Sequence, residues 1–152
     1  MEDNLSGTIQ DNTHNLLKRV YYSDTDAGGV VYHSRYIEMA EHARSELIRL
    51  LGGEQRGPLQ EQGIGFVVRS LNVSYNRPAF LDDTLTIKTS ITKCETFTLI
   101  FDQNIYREEE LLCEIKVKTG CVSLSEGKPT AMPKDWQGLI REKMLSSKSN
   151  IR

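Results

Sequence analysis

The sequence predicts an α+β domain, an antiparallel sheet of about five strands curled around one long helix. Three observations carry this prediction. Apolar residues recur at steps of three and four from Ser34 to Gly52, and after Gly63 the apolar period changes to two as far as about residue 125. Helices do not alternate with strands along the chain, which excludes a doubly wound parallel sheet. At 152 residues there is room for one ordinary domain with a single core.

The elements follow in order. Residues 1–14 are polar without an apolar period, as are residues 146–152, so both read as flexible tails around a folded domain at 15–145. Leu16 to Tyr22 reads as a strand, stopped by the turn formers Ser23-Asp24-Thr25-Asp26-Ala27-Gly28-Gly29. Ser34 is suited to N-capping and Gly52 to C-capping, and between them Tyr36, Ala40, Ala43, Leu47, Leu50 and Leu51 mark one apolar face. At about 1.5 Å per residue this helix spans roughly 25 Å, enough to cross a sheet. Its other face, with Glu38, Glu41, Arg44, Glu46 and Arg49, reads as solvated or inter-subunit.

Gly52 to Gly63 is a connector with a helical turn expected at Leu59 to Gln62. Strands then follow on Leu71, Val73 and Tyr75, on Leu85, Ile87 and Ile91, on Phe97, Leu99, Phe101 and Ile105, and on Cys113, Ile115, Val117 and Cys121. In the last of these the apolar parity changes, with Val122 and Leu124 following Cys121, which predicts a β-bulge at Gly120. Pro129 and Pro133 close the sheet, and Trp136, Leu139, Ile140 and Lys143 form a short terminal helix. A lone curved sheet leaves an edge uncovered, which favours dimerisation through that edge.

Composition removes several function classes. Nineteen Lys+Arg against 21 Asp+Glu give a net charge of −2, without the basic excess of a nucleic-acid binder. No apolar run approaches the roughly 18 to 20 residues of a membrane-spanning helix, and the N-terminus has no secretory pattern, so the expected location is the cytoplasm. Cys94, Cys113 and Cys121 form no CxxC pair and read as core or strand residues of a reducing compartment.

The segment from Tyr21 to Tyr36 concentrates the chemistry. It holds Asp24 and Asp26, the pair Gly28-Gly29, and His33, and it runs directly into the long helix. A carboxylate at Asp26, glycines that let backbone approach a ligand, and free N–H groups at a helix start are the parts for acyl transfer. The helix end polarises a carbonyl oxygen while the carboxylate attacks the carbonyl carbon or activates water. An isolated Asp in such a loop is more often a turn residue, the reading kept for Asp24.

Arg19-Val20, Asp24-Thr25-Asp26, Gly29-Val30-Val31-Tyr32-His33 and Tyr36 closely resemble the signature of the 4-hydroxybenzoyl-CoA thioesterase family of hotdog-fold enzymes. Phe66-Val67-Val68-Arg69, Val73-Ser74-Tyr75, Arg77-Pro78-Ala79 and Leu81-Asp82-Asp83 resemble more closely its Tol-Pal-associated acyl-CoA thioesterase branch, the YbgC type, over roughly residues 17–135. The resemblance implies a hotdog fold and hydrolysis of an acyl-CoA, with coenzyme A as part of the substrate and no cofactor.

It further implies Asp26 as catalytic carboxylate, nucleophile or general base. His33 is the second catalytic candidate, a ring that bonds Asp26 or the departing thiolate or orients the substrate, with a helix cap or an interface residue as its plainer reading. Gly29, Val30, Val31 and Tyr32 would then form the substrate-binding backbone, with a thioester-oxygen donor near Tyr32 or His33. His33 is shared with the YbgC-type branch and not with the 4-hydroxybenzoyl enzyme, which favours aliphatic over aryl acyl groups. An acyl carrier protein partner and a homodimer or homotetramer, with the site at a dimer interface, are implied in the same way.

Other features have plainer readings. Glu38 and Glu41 rank below Asp26, because helical glutamates are usually solvated or paired. Glu38 and His42 stand at i,i+4 without a further ligand at a recognised spacing, so no metal site is expected. Gly63-Ile64-Gly65 is too short for a dinucleotide fingerprint, and Gly28-Gly29 lacks the rest of a phosphate loop. Arg69, Arg77, Lys88, Lys116 and Lys118 read as outward faces, not as a coenzyme A site. Two rival functions are a hotdog hydratase or dehydratase and a non-catalytic acyl-CoA or acyl-carrier-protein binding module.

Overall fold

A computed structural model of the chain describes residues 4–52 and 62–145. The alternating segments form one sheet of six strands: β1 (Thr8–Gln10), β2 (Thr13–Arg19), β3 (Ile64–Tyr75), β4 (Thr84–Cys94), β5 (Thr98–Arg107) and β6 (Glu110–Ser123). Their spatial order is β1-β2-β4-β5-β6-β3, and every neighbouring pair is antiparallel. The sheet wraps the helix α1 (His33–Gly52), and a second helix α2 (Lys134–Met144) packs on α1 and β4.

The core lies between α1 and the concave face. Tyr36, Met39, Ala40, Ala43, Leu47, Ile48 and Leu51 are the buried residues of α1. Ala40 and Ala43 are fully buried, and their small side chains let the helix approach the sheet closely. Leu50, expected on the apolar face, is 40% exposed. Over the last turn the buried stripe has moved round to Leu47, Ile48 and Leu51, the end near which α2 packs. Gly52 is the last helical residue rather than a cap beyond it, and a Cβ there would stand 3.0 Å from the Trp136 ring of α2.

Cys94, Cys113 and Cys121 are free and buried, as core residues. Burial pushes the Cys113 thiol up to about 12 and that of Cys121 up to about 11. None is a reactive thiolate at neutral pH.

Three expectations change. The domain starts before residue 15, because a 3-10 turn at Asn4–Ser6, β1 and the start of β2 all lie within the segment expected to be a tail. The first long strand accordingly ends at Arg19 rather than Tyr22, and Tyr22–Asp24 is a 3-10 turn. The bulge expected at Gly120 lies across the ladder at Arg69, where the β3–β6 register shifts between Val68 and Ser70. Cys113, Ile115, Val117, Thr119 and Cys121 keep one buried parity throughout, and Gly120 leaves room for the Arg69 stem, whose Cδ would stand 2.9 Å from a Cβ. The helical turn expected at Leu59 to Gln62 lies, apart from Gln62, outside the described residues, as does the C-terminal tail 146–152. Among the described residues no helix is long and apolar enough to cross a membrane.

Candidate active site

The loop between β2 and α1 is shaped by its own backbone and by the connection between β3 and β4. Asp24 is buried, and its Oδ2 accepts the Tyr21 N–H at 2.9 Å while its backbone oxygen accepts the Tyr32 N–H at 2.9 Å. It is a structural residue that closes the loop at both ends. From outside, the Val31 N–H donates to Ala79 O at 2.9 Å, and the Ala79 N–H donates to the buried Tyr36 hydroxyl at 3.0 Å. Asp83 holds the same connection, accepting the Phe80 N–H at 2.8 Å and pairing with Arg107 at 2.7 Å.

Asp26 stands at the exposed tip. Its Oδ1 accepts the N–H groups of Gly28 at 2.9 Å and Val30 at 3.3 Å, and its backbone closes a turn in both directions with Val30 O and the Gly29 N–H. Gly29 has φ 87°, a left-handed conformation that glycine adopts without strain. Oδ2 has no partner among the described residues, so one carboxylate oxygen is fixed and the other is open.

His33 begins α1, and its ring touches Tyr32 (centroids 4.5 Å apart) and Tyr75 (6.4 Å, edge to face). No hydrogen bond joins it to Asp26 among the described residues. The Tyr75 hydroxyl donates to His33 O at 3.1 Å, tying the strand β3 to the helix start. Burial raises the hydroxyl pKa of both Tyr36 and Tyr75. Of the two expected oxygen donors the Tyr32 N–H is engaged by Asp24, whereas the N–H groups of His33 and Ser34 have no partner among the described residues. A helix start presents such groups together with the positive end of its dipole. Beside them opens a cleft of about 280 Å³ walled by Val31, His33, Tyr36, Tyr75 and Pro78. Asp26 lies outside this lining, and of Gly29, Val30, Val31 and Tyr32 only Val31 takes part in it.

Comparison with known proteins decides what this arrangement belongs to. The model of the thioesterase superfamily matches residues 28–114, a span that begins just after Asp26. The chain belongs to the thioesterase superfamily. It is 43% identical over 125 residues to the acyl-CoA thioesterase YbgC of Haemophilus influenzae, covering 82% of this chain and 92% of that one. The acyl-CoA thioester hydrolase YbgC of Escherichia coli O6:H1 is 46% identical over 117 residues, 76% of this chain and 87% of the other. The crystal structure of a probable thioesterase from Bartonella henselae superposes with a TM-score of 0.74 at 37% identity, covering 80% of this chain and 99% of that one. The hotdog fold and the thioester-hydrolase class expected from the sequence are therefore those of its relatives.

The remaining candidates in this thioesterase are occupied elsewhere. Glu38 pairs with Arg35 at 2.8 Å, and Glu41 accepts the Ser45 hydroxyl at 3.0 Å. His42 Nε2 lies 3.8 Å from Glu41 and makes no set with Glu38. Among the described residues no three His, Cys, Asp or Glu side chains gather around a common point. Arg77, a cation set aside as solvated, borders the cleft while paired with Glu110 at 3.2 Å. Sequence reasoning missed Tyr36, Tyr75, Ala79 and Asp83 as the residues that fix the loop and the helix start. Their signal lay only in the short runs Val73-Ser74-Tyr75, Arg77-Pro78-Ala79 and Leu81-Asp82-Asp83.

Proposed function

We propose that this thioesterase hydrolyses aliphatic acyl-CoA to the acid and free coenzyme A, with Asp26 Oδ2 as the reactive atom and the His33 N–H as the donor to the thioester oxygen. The observation that supports it is the divided carboxylate. Oδ1 is held by Gly28 and Val30 while Oδ2 has no partner among the described residues, nor have the first N–H groups of the helix in which the loop ends. Negative charge developing on the thioester oxygen is stabilised by those N–H groups and the dipole behind them.

In one route Oδ2 attacks the acyl carbon, the C–S bond breaks, and coenzyme A leaves as a thiolate that takes a proton from solvent. Water then cleaves the mixed anhydride, releasing the acid and regenerating Asp26. In the other, Oδ2 takes a proton from the water that attacks the acyl carbon. The reaction needs water alone and no cofactor. His33, close to the same N–H groups, orients the substrate or meets the departing thiolate.

The finer assignments rest on the resemblance. They are a cytoplasmic enzyme that works near the Tol-Pal system, accepts acyl carrier protein as an alternative carrier, and assembles as a dimer or as a tetramer of two dimers. The long exposed edge of β3 supports the dimer.

Thiol release from acyl-CoAs of increasing length, measured for wild type and Asp26→Asn, tests the reading. The variant should lose at least a hundredfold in kcat. Unchanged thiol release would overturn the role of Asp26, and tight acyl-CoA binding by wild type without turnover would make the chain a binding module. In water enriched in ¹⁸O, label entering the Asp26 carboxylate in a single turnover identifies the nucleophilic route.

A further inference from the structure

Val30 and Val31 set the position of Asp26. The Val30 N–H donates to Asp26 Oδ1 at 3.3 Å, and Val30 O accepts the Asp26 N–H at 2.9 Å. Both valines are held in turn by the connection between β3 and β4. The Val31 N–H donates to Ala79 O at 2.9 Å, and Val30 pairs with Phe80 as an isolated antiparallel bridge.

That connection carries strain of its own. Its tight turn runs from Phe80 to Asp83, closed by the Asp83 N–H on Phe80 O at 3.0 Å, and Asp82 within it has φ 73°. A left-handed conformation costs free energy for a residue with a Cβ, so the turn persists only where its surroundings impose it. Tyr36 and Val20 hold single points, the Ala79 N–H and the Asp82 and Asp83 backbone.

Arg107 spans the segment. From the end of β5 its Nη1 donates to Pro78 O at 3.2 Å and to Asp83 Oδ2 at 2.7 Å, so one nitrogen ties both ends of the turn. Asp83 Oδ2 also accepts the Phe80 N–H at 2.8 Å, and the guanidinium carbon stands 5.6 Å from the centroid of the Phe80 ring. The other nitrogen, Nη2, donates to Glu110 Oε1 of β6 at 2.8 Å, which fastens the fork to the β5–β6 hairpin. Glu110 Oε2 lies 3.2 Å from Nε of Arg77, which borders the cleft. A partly exposed ion pair adds little to stability, whereas a planar fork with several acceptors fixes geometry.

We infer that Arg107 is a positioning residue for Asp26, acting through Asp83 and Pro78 on Ala79 and Phe80 and through these on the Asp26 loop. The inference rests on the thioesterase reading and adds to it the residue that aims the reactive carboxylate. Displacing such a group by about 1 Å costs on the order of a hundredfold in rate.

The test measures kcat and KM for butyryl-CoA with Arg107→Ala and Arg107→Lys, at temperatures where circular dichroism shows each variant fully folded. Lys keeps the charge without the fork and cannot meet Pro78, Asp83 and Glu110 together. Both variants should lose at least about tenfold in kcat with KM within about threefold of wild type. A side chain that only stabilised the fold would leave kcat of the folded protein unchanged. Asp83→Asn leaves Arg107 in place and removes the charge it meets, and it should lower kcat by about threefold. In an Asp26→Asn background Arg107→Lys should change the residual rate by less than about twofold, because nothing remains to be aimed. Wild-type kcat in folded Arg107→Lys or in Asp83→Asn would overturn the inference, as would an undiminished loss in the Asp26→Asn background, and each would leave the thioesterase reading intact. Failure of that reading looks different: wild type would release no thiol, or Asp26→Asn would release it at the wild-type rate, and either result would overturn the inference as well.

Discussion

Asp24 and Asp26 show how two identical side chains on one short loop come to different uses. The Asp24 carboxylate is turned inward onto the Tyr21 N–H, and its backbone oxygen holds Tyr32. Asp26 is turned outward with one oxygen open. A buried carboxylate accepting a backbone N–H contributes about 1–3 kcal/mol, and its removal leaves that donor unsatisfied. Asp24→Ala should therefore lower the unfolding free energy by that amount, whereas Asp26→Ala should cost under about 1 kcal/mol, since it forfeits only exposed bonds. Urea titration of both variants measures the contrast, and equal losses would refute the division of roles. The ordered motif made this division legible, because Asp26 is followed by the glycine pair that leaves its N–H groups free to turn back. What holds the loop from outside was not legible: Tyr36 and Ala79 are 43 residues apart, and Tyr75 and His33 are 42 apart. No local period reports a contact at that separation.

At the scale of elements, β3 alternates in sequence but buries only Ile64, whereas the strong periods of α1 and β4 to β6 were readable because each buries one face against the core. The N-terminal hairpin was not. Thr8–Gln10 has no fully buried residue, and β2 buries only His14 and Leu16, so its pattern is too polar to suggest a strand. The available signal was Asp11-Asn12, whose φ values of 54° and 63° make the two-residue left-handed turn that Asp and Asn favour.

His14 supplies the pH dependence of this element. It is fully buried, its Nε2 bonds to Ser6 O at 2.7 Å, its Nδ1 has no partner among the described residues, and Ser6 Oγ in turn donates to Glu46 Oε1 of α1 at 2.9 Å. Burial lowers the His14 pKa from 6.5, outweighing the Ser6 bond and the Glu46 charge. The unfolded form then binds a proton at a higher pH than the folded form, so stability is complete above pH 6.5 and declines as the pH falls toward the folded value. Amide protection of Thr8–Gln10, corrected for intrinsic exchange, should fall between pH 7.5 and pH 5 in wild type. His14→Gln should remove the pH step, and an equal step in that variant would assign it to another group.

For the whole molecule the decisive asymmetry is between the two sheet edges. β1 ends one side with three residues, while β3 ends the other with twelve, carrying Val67 at 45% and Val68 at 51% exposure. A long apolar edge with unpaired backbone is a template for another strand, and a second β3 satisfies it symmetrically. In the proposed dimer, replacing both valines with lysine places like charges across the twofold and should leave a monomer in light scattering. Because the proposed function puts the site at the same junction, thioester hydrolysis should be lost with the proposed dimer while the monomer keeps its circular dichroism spectrum. The two measurements separate distinct errors. A variant that keeps the wild-type mass shows that β3 is not the junction, and a monomer with full activity shows that each copy holds a complete site.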